Sequence, residues 1–292
     1  MLPTAKRVLF RMRRGIILPQ AVQMRLRAKR EARRAFSNLT APPILIYQMG
    51  KVGSTTVYDS LRAAALPNAI FHLHFISQDF RENKKHLKAV GIDPPPYHFY
   101  LGDAVRKVLP RPCKIISLVR DPIAVVVSGL FQNPYFANEE IRTATGTIDH
   151  EKVLKYLESE LLDQSAYSYV NDWFDRELKQ AFGIDVFSQP FPVNVGYAIY
   201  GKADVEALVI RLEDLVQKGP KIISEFLNLE RPLVLKQGNA RTESRDGEAY
   251  RHTLKKLRLN ELVCREIYSS RFVRHFYSEA MIEQFISKWT HE

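Results

Sequence analysis

Two cysteines in 292 residues, Cys113 and Cys264, cannot build a disulfide framework, and no C-x-x-C pair or His/Cys cluster has metal-ligand spacing. Apolar runs of the ~18–20 residues that cross a bilayer as a helix are absent. Arginines interrupt each candidate apolar core near the N-terminus, which excludes a secretory signal. Repeats and low-complexity tracts are missing as well, so solenoid and linker architectures drop out. A reducing, cytoplasmic location is the expectation. Acidic residues are scarce in one place only. Residues 1–40 hold eleven bases against the single acid Glu31, a net +10 of the chain's +11 that leaves +1 for the rest. The charge therefore belongs to a basic N-terminal arm, 1–40, and the body, 41–292, is near neutral. The arm reads as a basic amphipathic surface for anionic lipid at the inner face of the membrane or for a polyanionic glycan. It also reads as a non-specific nucleic-acid contact or as a solvated extension. Beyond residue 40 nothing has the pattern of a specific nucleic-acid module.

What is there is an α/β pattern in one sizeable domain, 46% hydrophobic. Strands are expected at 45–47, 69–76, 114–119, 195–200 and 208–212. Helices are expected at 55–65, 78–89, 103–108, after Pro122, across 151–173, at 221–227 and from 250 onward. This alternation argues a mainly parallel central sheet with right-handed crossovers. In such sheets ligands bind at the carboxyl ends of the strands.

Two strand ends carry chemistry. After Ile44–Tyr47 the chain runs Gln48-Met49-Gly50-Lys51-Val52-Gly53-Ser54-Thr55-Thr56 and resumes apolar spacing at Val57 and Leu61. Strand, tight loop and helix N-terminus gather backbone N–H groups and a positive dipole end at one point, which suits a phosphate. Gly50 and Gly53 permit unusual backbone angles, Lys51 adds a mobile charge, and Ser54, Thr55 and Thr56 add hydroxyl donors. The order is not that of a nucleoside-triphosphate P-loop, because the lysine precedes the second glycine. After Lys114–Val119 comes Arg120-Asp121-Pro122, then an apolar segment with Ser128. A guanidinium fork there takes two phosphate oxygens, and proline opens the helix.

Lys51-Val52-Gly53-Ser54-Thr55 resembles the loop by which sulfotransferases grip the 5′-phosphosulfate of 3′-phosphoadenylyl sulfate (PAPS). Arg120 and Ser128 keep the spacing of the family's second signature, which binds the 3′-phosphate. Ala207–Leu215 is similar to the family's late strand ending in R-x-E-D-L. Tyr268–Tyr277 and Trp289 resemble a bacterial branch of capsular polysaccharide synthesis proteins. The resemblance implies a P-loop-like three-layer α/β domain that moves a sulfuryl group from PAPS, as co-substrate and without a metal, to a glycan or small hydroxyl acceptor. Lys51 would neutralise charge on the leaving phosphate oxygen. Lys51, Gly53, Ser54, Thr55 and Thr56 would hold the 5′ end, and Arg120 and Ser128 the 3′-phosphate. Phe71-His72-Leu73-His74-Phe75 resembles the H-x-H pattern of the uronyl 2-O-sulfotransferases, with His74 as base and His72 and His98 as rivals. The chain departs from that pattern by a longer stretch between the histidines and Arg120. Competing readings are an ATP- and magnesium-dependent phosphotransferase and a catalytically silent scaffold. Two further segments are candidates of lower specificity, the loop 236–241 and the aromatics of 131–136.

Overall fold

The structure is a computed structural model that describes residues 18–37, 39–77, 84–85, 87–88, 92–110, 112–132, 140–163, 165–236 and 247–290. Five strands form one sheet: β1 (Ile44–Tyr47), β2 (Ile70–Leu73), β3 (Cys113–Val119), β4 (Tyr197–Lys202) and β5 (Val205–Arg211), in the order β2-β1-β3-β5-β4. The first four in that order run parallel, and β4 closes the edge antiparallel to β5. β1 and β3 are almost wholly apolar and buried, as strands covered on both faces must be.

Helices cover both faces. Ile46 and Tyr47 point to opposite sides because strand side chains alternate. Helix α1 (Gln20–Phe36) precedes the sheet, and α2 (Ser54–Ala63) follows β1 on the side of Ile46 and its partner His72. Helix α3 (Tyr97–Val108) precedes β3, and α4 (Pro122–Gln132) follows it. Next come α5 (His150–Leu162) and α6 (Ser165–Trp173). A π-turn, Phe174–Lys179, prolongs α6 as far as Phe182. Trp173 and Phe182 lie edge-on to the Tyr47 ring at 4.9 and 5.9 Å, so α6 covers the other face. After β5 come α7 (Leu212–Leu227), α8 (Gly247–Lys256), α9 (Glu261–Tyr268), α10 (Arg271–Phe276) and α11 (Glu279–Thr290). Phe226 of α7 receives the Lys114 ammonium over its ring at 4.7 Å, while Phe174 packs on Phe276 at 5.4 Å. The core thus runs through both layers.

Three expectations need correction. β2 ends at Leu73, so His74 sits in the turn beyond it rather than on the strand. The short helix expected at 103–108 begins at Tyr97, which places His98 in its first turn. Gly102 permits this helix to lie close, since a Cβ there would stand 2.1 Å from the Phe75 carbonyl oxygen. The helix expected at 221–227 begins at Leu212, directly from β5. Most of 78–89 lies outside the described residues, as do Gln237–Arg241 and Asn133–Phe136. Phe131 packs edge-on to Tyr250 at 5.4 Å, a core contact.

Candidate functional site

The chain leaves β1 to build β2 on one side and β3 on the other. The loops that follow β1 and β3 therefore part at this point, the crevice where open α/β sheets hold ligands. Both sequence motifs fall there.

In the β1–α2 loop the left-handed positions are Lys51 (φ 70) and Gly53 (φ 78), whereas Gly50 has an ordinary φ and open space where a Cβ would be. Gly53 is the position that needs glycine. A Cβ there would stand 2.5 Å from Leu212 Cδ1 at a backbone angle that side chains disfavour. Lys51 accepts its strained angle because its carbonyl is held, receiving a 2.9 Å hydrogen bond from Arg120 Nη1. The two motifs meet in that bond, across 69 residues of sequence. Gly53 at the N-cap brings no side chain to cap α2. Thr56 N–H donates to Gly53 O at 3.2 Å. Thr55 is exposed, Thr56 is half-buried, and Ser128 is buried within α4.

Ser54 is buried and pairs with His72, Oγ to Nε2 at 2.8 Å. The His72 ring lies 5.0 Å from that of His74, and His74 lies 5.9 Å from His98. His74 Nδ1 donates to the Gln48 carbonyl at 2.9 Å. A carbonyl only accepts, so the proton sits on Nδ1 and the neutral ring leaves Nε2 with a lone pair. Tyr58 stacks on His72 at 5.4 Å, Phe75 stands edge-on to His74 at 6.5 Å, and Phe99 is tilted against His98 at 4.4 Å.

Burial lowers all three histidines. His72 falls to about 3 through burial and then the neighbouring His74 and His98. His98 falls to about 4 through burial and then His74. His74 is lowered by burial, against the raising effect of its bond to Gln48, with the Lys51 charge lowering it further. A depressed folded-state pKa means that stability is complete above the unfolded value, about 6.5, and is lost as pH falls below it. The melting temperature should therefore drop between pH 6.5 and 5, above most carboxylate titration, and the drop should shrink in His72→Gln and His98→Gln variants. An identical pH slope in those variants would remove the histidines from the account.

Helix α6 fastens the crevice from beneath. Gly50 N–H donates to Tyr169 Oη at 3.3 Å, and Trp173 Nε1 donates to the His74 carbonyl at 3.0 Å. The π-turn brings in Glu177, 1% exposed, whose Oε2 accepts from Tyr47 Oη, Ile76 N–H and Ser77 N–H. One carboxylate thus ties the end of β1 to the turn after His74. π-turns commonly accompany functional sites. Tyr169, Trp173 and Glu177 recur every four residues, a stripe that sequence reasoning passes over as an amphipathic helix.

On the other side, Asp121 is 2% exposed and surrounded by donors. Oδ1 accepts from Ile123 N–H (3.0 Å) and Tyr268 Oη (2.8 Å), and Oδ2 accepts from Trp289 Nε1 (2.9 Å). Burial, and then the adjacent Asp121 charge, hold the Tyr268 hydroxyl well above its ordinary range, so it remains a donor. Asp121 N–H donates to Glu213, which also accepts from Tyr277 Oη, while Arg211 pairs with Asp214 at 2.6 Å. The R-x-E-D-L element thereby orders the core beside Arg120.

These features define an α/β protein with a mostly parallel sheet whose switch-point loops are joined by Arg120 and flanked by three neutral histidines. Residues 146–278 match a family model described as "Putative capsular polysaccharide synthesis protein". The matched span includes α6, Glu177 and Tyr268–Tyr277, while both strand-end motifs precede it. No curated protein and no solved structure matches the chain. Among the described residues no helix is long and apolar enough to cross a membrane, and no group of three or more His, Cys, Asp or Glu could hold a metal.

Proposed function

We propose that this protein is a sulfotransferase with a P-loop-like core, moving a sulfuryl group from PAPS to a glycan hydroxyl in capsule synthesis. The observation that carries the reading is the Arg120–Lys51 bond, which brings two phosphate-suited motifs to one crevice. The crevice suits the co-substrate: uncapped helix N–H groups and Lys51 at one loop, and a guanidinium with further N–H donors at the other. Lys51, Gly53, Ser54, Thr55 and Thr56 take the 5′-phosphosulfate, and Arg120 and Ser128 take the 3′-phosphate. His74 Nε2 removes the acceptor proton as the acceptor oxygen bonds to sulfur. The bond from sulfur to the phosphate oxygen breaks, and Lys51 balances the charge left on adenosine 3′,5′-bisphosphate (PAP). The rings of Tyr58, Phe75 and Phe99 beside the histidines suit a sugar face.

Calorimetric titration with PAP, and separately with ATP plus magnesium, tests this. Micromolar binding of PAP is expected, with a loss of tenfold or more in Arg120→Ala, since a hydrogen bond to a charged group contributes about 1.5–3 kcal/mol. Binding of ATP with silence toward PAP would make the protein a phosphotransferase. Silence toward both would leave a fold without a demonstrated enzyme.

A further inference from the structure

We infer that α1 is a docking helix for an anionic membrane surface. One side of the helix is anchored. Ala28 and Ala32 are fully buried, Arg27 stacks over the Tyr97 ring at 4.6 Å, and Tyr97 Oη donates to Glu31 at 2.5 Å. The single acid of the helix is thus engaged with α3. The exposed side bears Val22 and Leu26, four residues apart and therefore in one stripe, exposed by 40 and 37%, and Leu18, just before the helix, is 39% exposed. Exposed Lys29, Arg30, Arg33 and Arg34 continue that side through the next two turns. Six bases against Glu31 give the helix a net +5, whereas everything after residue 40 sums to +1.

The pairing of apolar stripe and bases selects the partner. A soluble polyanion is held by charge and gains nothing from exposed leucines. A membrane surface uses both, with apolar side chains entering the acyl boundary and basic ones meeting anionic headgroups. Position gives the contact a purpose. Tyr97, gripped by α1, is followed by His98, whose ring neighbours His74. Docking through α1 would hold the histidine side of the crevice at the lipid interface, where a lipid-borne acceptor is presented. The docking itself is independent of the reaction assigned to the crevice.

Sedimentation of the full chain with vesicles tests it, using phosphatidylcholine alone and an equal mixture with phosphatidylglycerol. Binding is expected to the mixed vesicles only. It should weaken about tenfold or more both in Val22→Asp/Leu26→Asp, which puts charge where apolar side chains enter the acyl boundary, and in Lys29→Glu/Arg33→Glu, which reverses two charges that meet anionic headgroups. All four positions are exposed, and circular dichroism checks that the variants fold. Equal binding to both vesicle types, or none, would overturn the inference. So would unchanged vesicle binding in the apolar variant, which would mark α1 as a contact for a soluble polyanion such as heparin or nucleic acid.

Discussion

Asp121→Ala should destabilise the protein by about 3–5 kcal/mol, a large loss for one side chain. Three buried donors, Ile123 N–H, Tyr268 Oη and Trp289 Nε1, would lose their acceptor together. An unpaired buried donor costs about 1–3 kcal/mol, and neighbouring losses do not add in full. Urea unfolding gives the number, and a loss below about 1 kcal/mol would contradict the burial of this carboxylate. The effect should also reach the crevice. Asp121 precedes the Pro122 turn and follows Arg120, whose guanidinium holds Lys51 in its left-handed angle. In the milder Trp289→Phe variant, which keeps the aromatic packing and removes one donor, amides of residues 50–54 should exchange faster with solvent deuterium. Unchanged exchange in that loop would show that the carboxyl-terminal helix holds the fold without holding the site.

Under the proposed function, His74→Gln carries the largest expected effect on turnover. Loss of a positioned base typically lowers rates by about 10²–10⁴-fold. Transfer of labelled sulfuryl from PAPS to glycans extracted from capsule-bearing cells should fall by that range, with PAP affinity within about twofold of wild type. The separation of the two readouts distinguishes a base from a structural histidine, which would disturb the loop through the Gln48 carbonyl and weaken PAP binding as well. His98→Gln supplies the comparison. Its ring touches His74 rather than the loop, so a rate loss there equal to that of His74→Gln would transfer the role of base to His98.

Much of the frame was legible along the chain because its determinants are local. Glycine and lysine after a short apolar run marked the β1–α2 corner, and Arg120-Asp121-Pro122 marked the start of α4. Boundaries slipped where tertiary contact overrode the pattern. Phe71–Phe75 reads as continuous strand, yet pairing with β1 ends at Leu73 and the turn after it is held by Glu177. Polar Tyr97-His98 gave no helical signal, and packing of Gly102 on Phe75 and of α1 on Tyr97 completes that helix.

By itself the sequence determined the α/β alternation, the two strand-end motifs, the segregation of charge into the first forty residues and the set of candidate histidines. Each follows from periodicity, residue chemistry or short spacing, and those survive in one dimension. Only the tertiary structure decided that Arg120 grips the Lys51 carbonyl, that His98 joins His72 and His74, and that Asp121 and Glu177 are buried acceptors. In a sequence, Glu177 beside Asp175 and Arg176 reads as solvated surface, and Asp121 reads as part of the turn that opens α4. Their burial depends on donors 101, 130, 147 and 168 residues away, and no local pattern encodes the arrival of those donors.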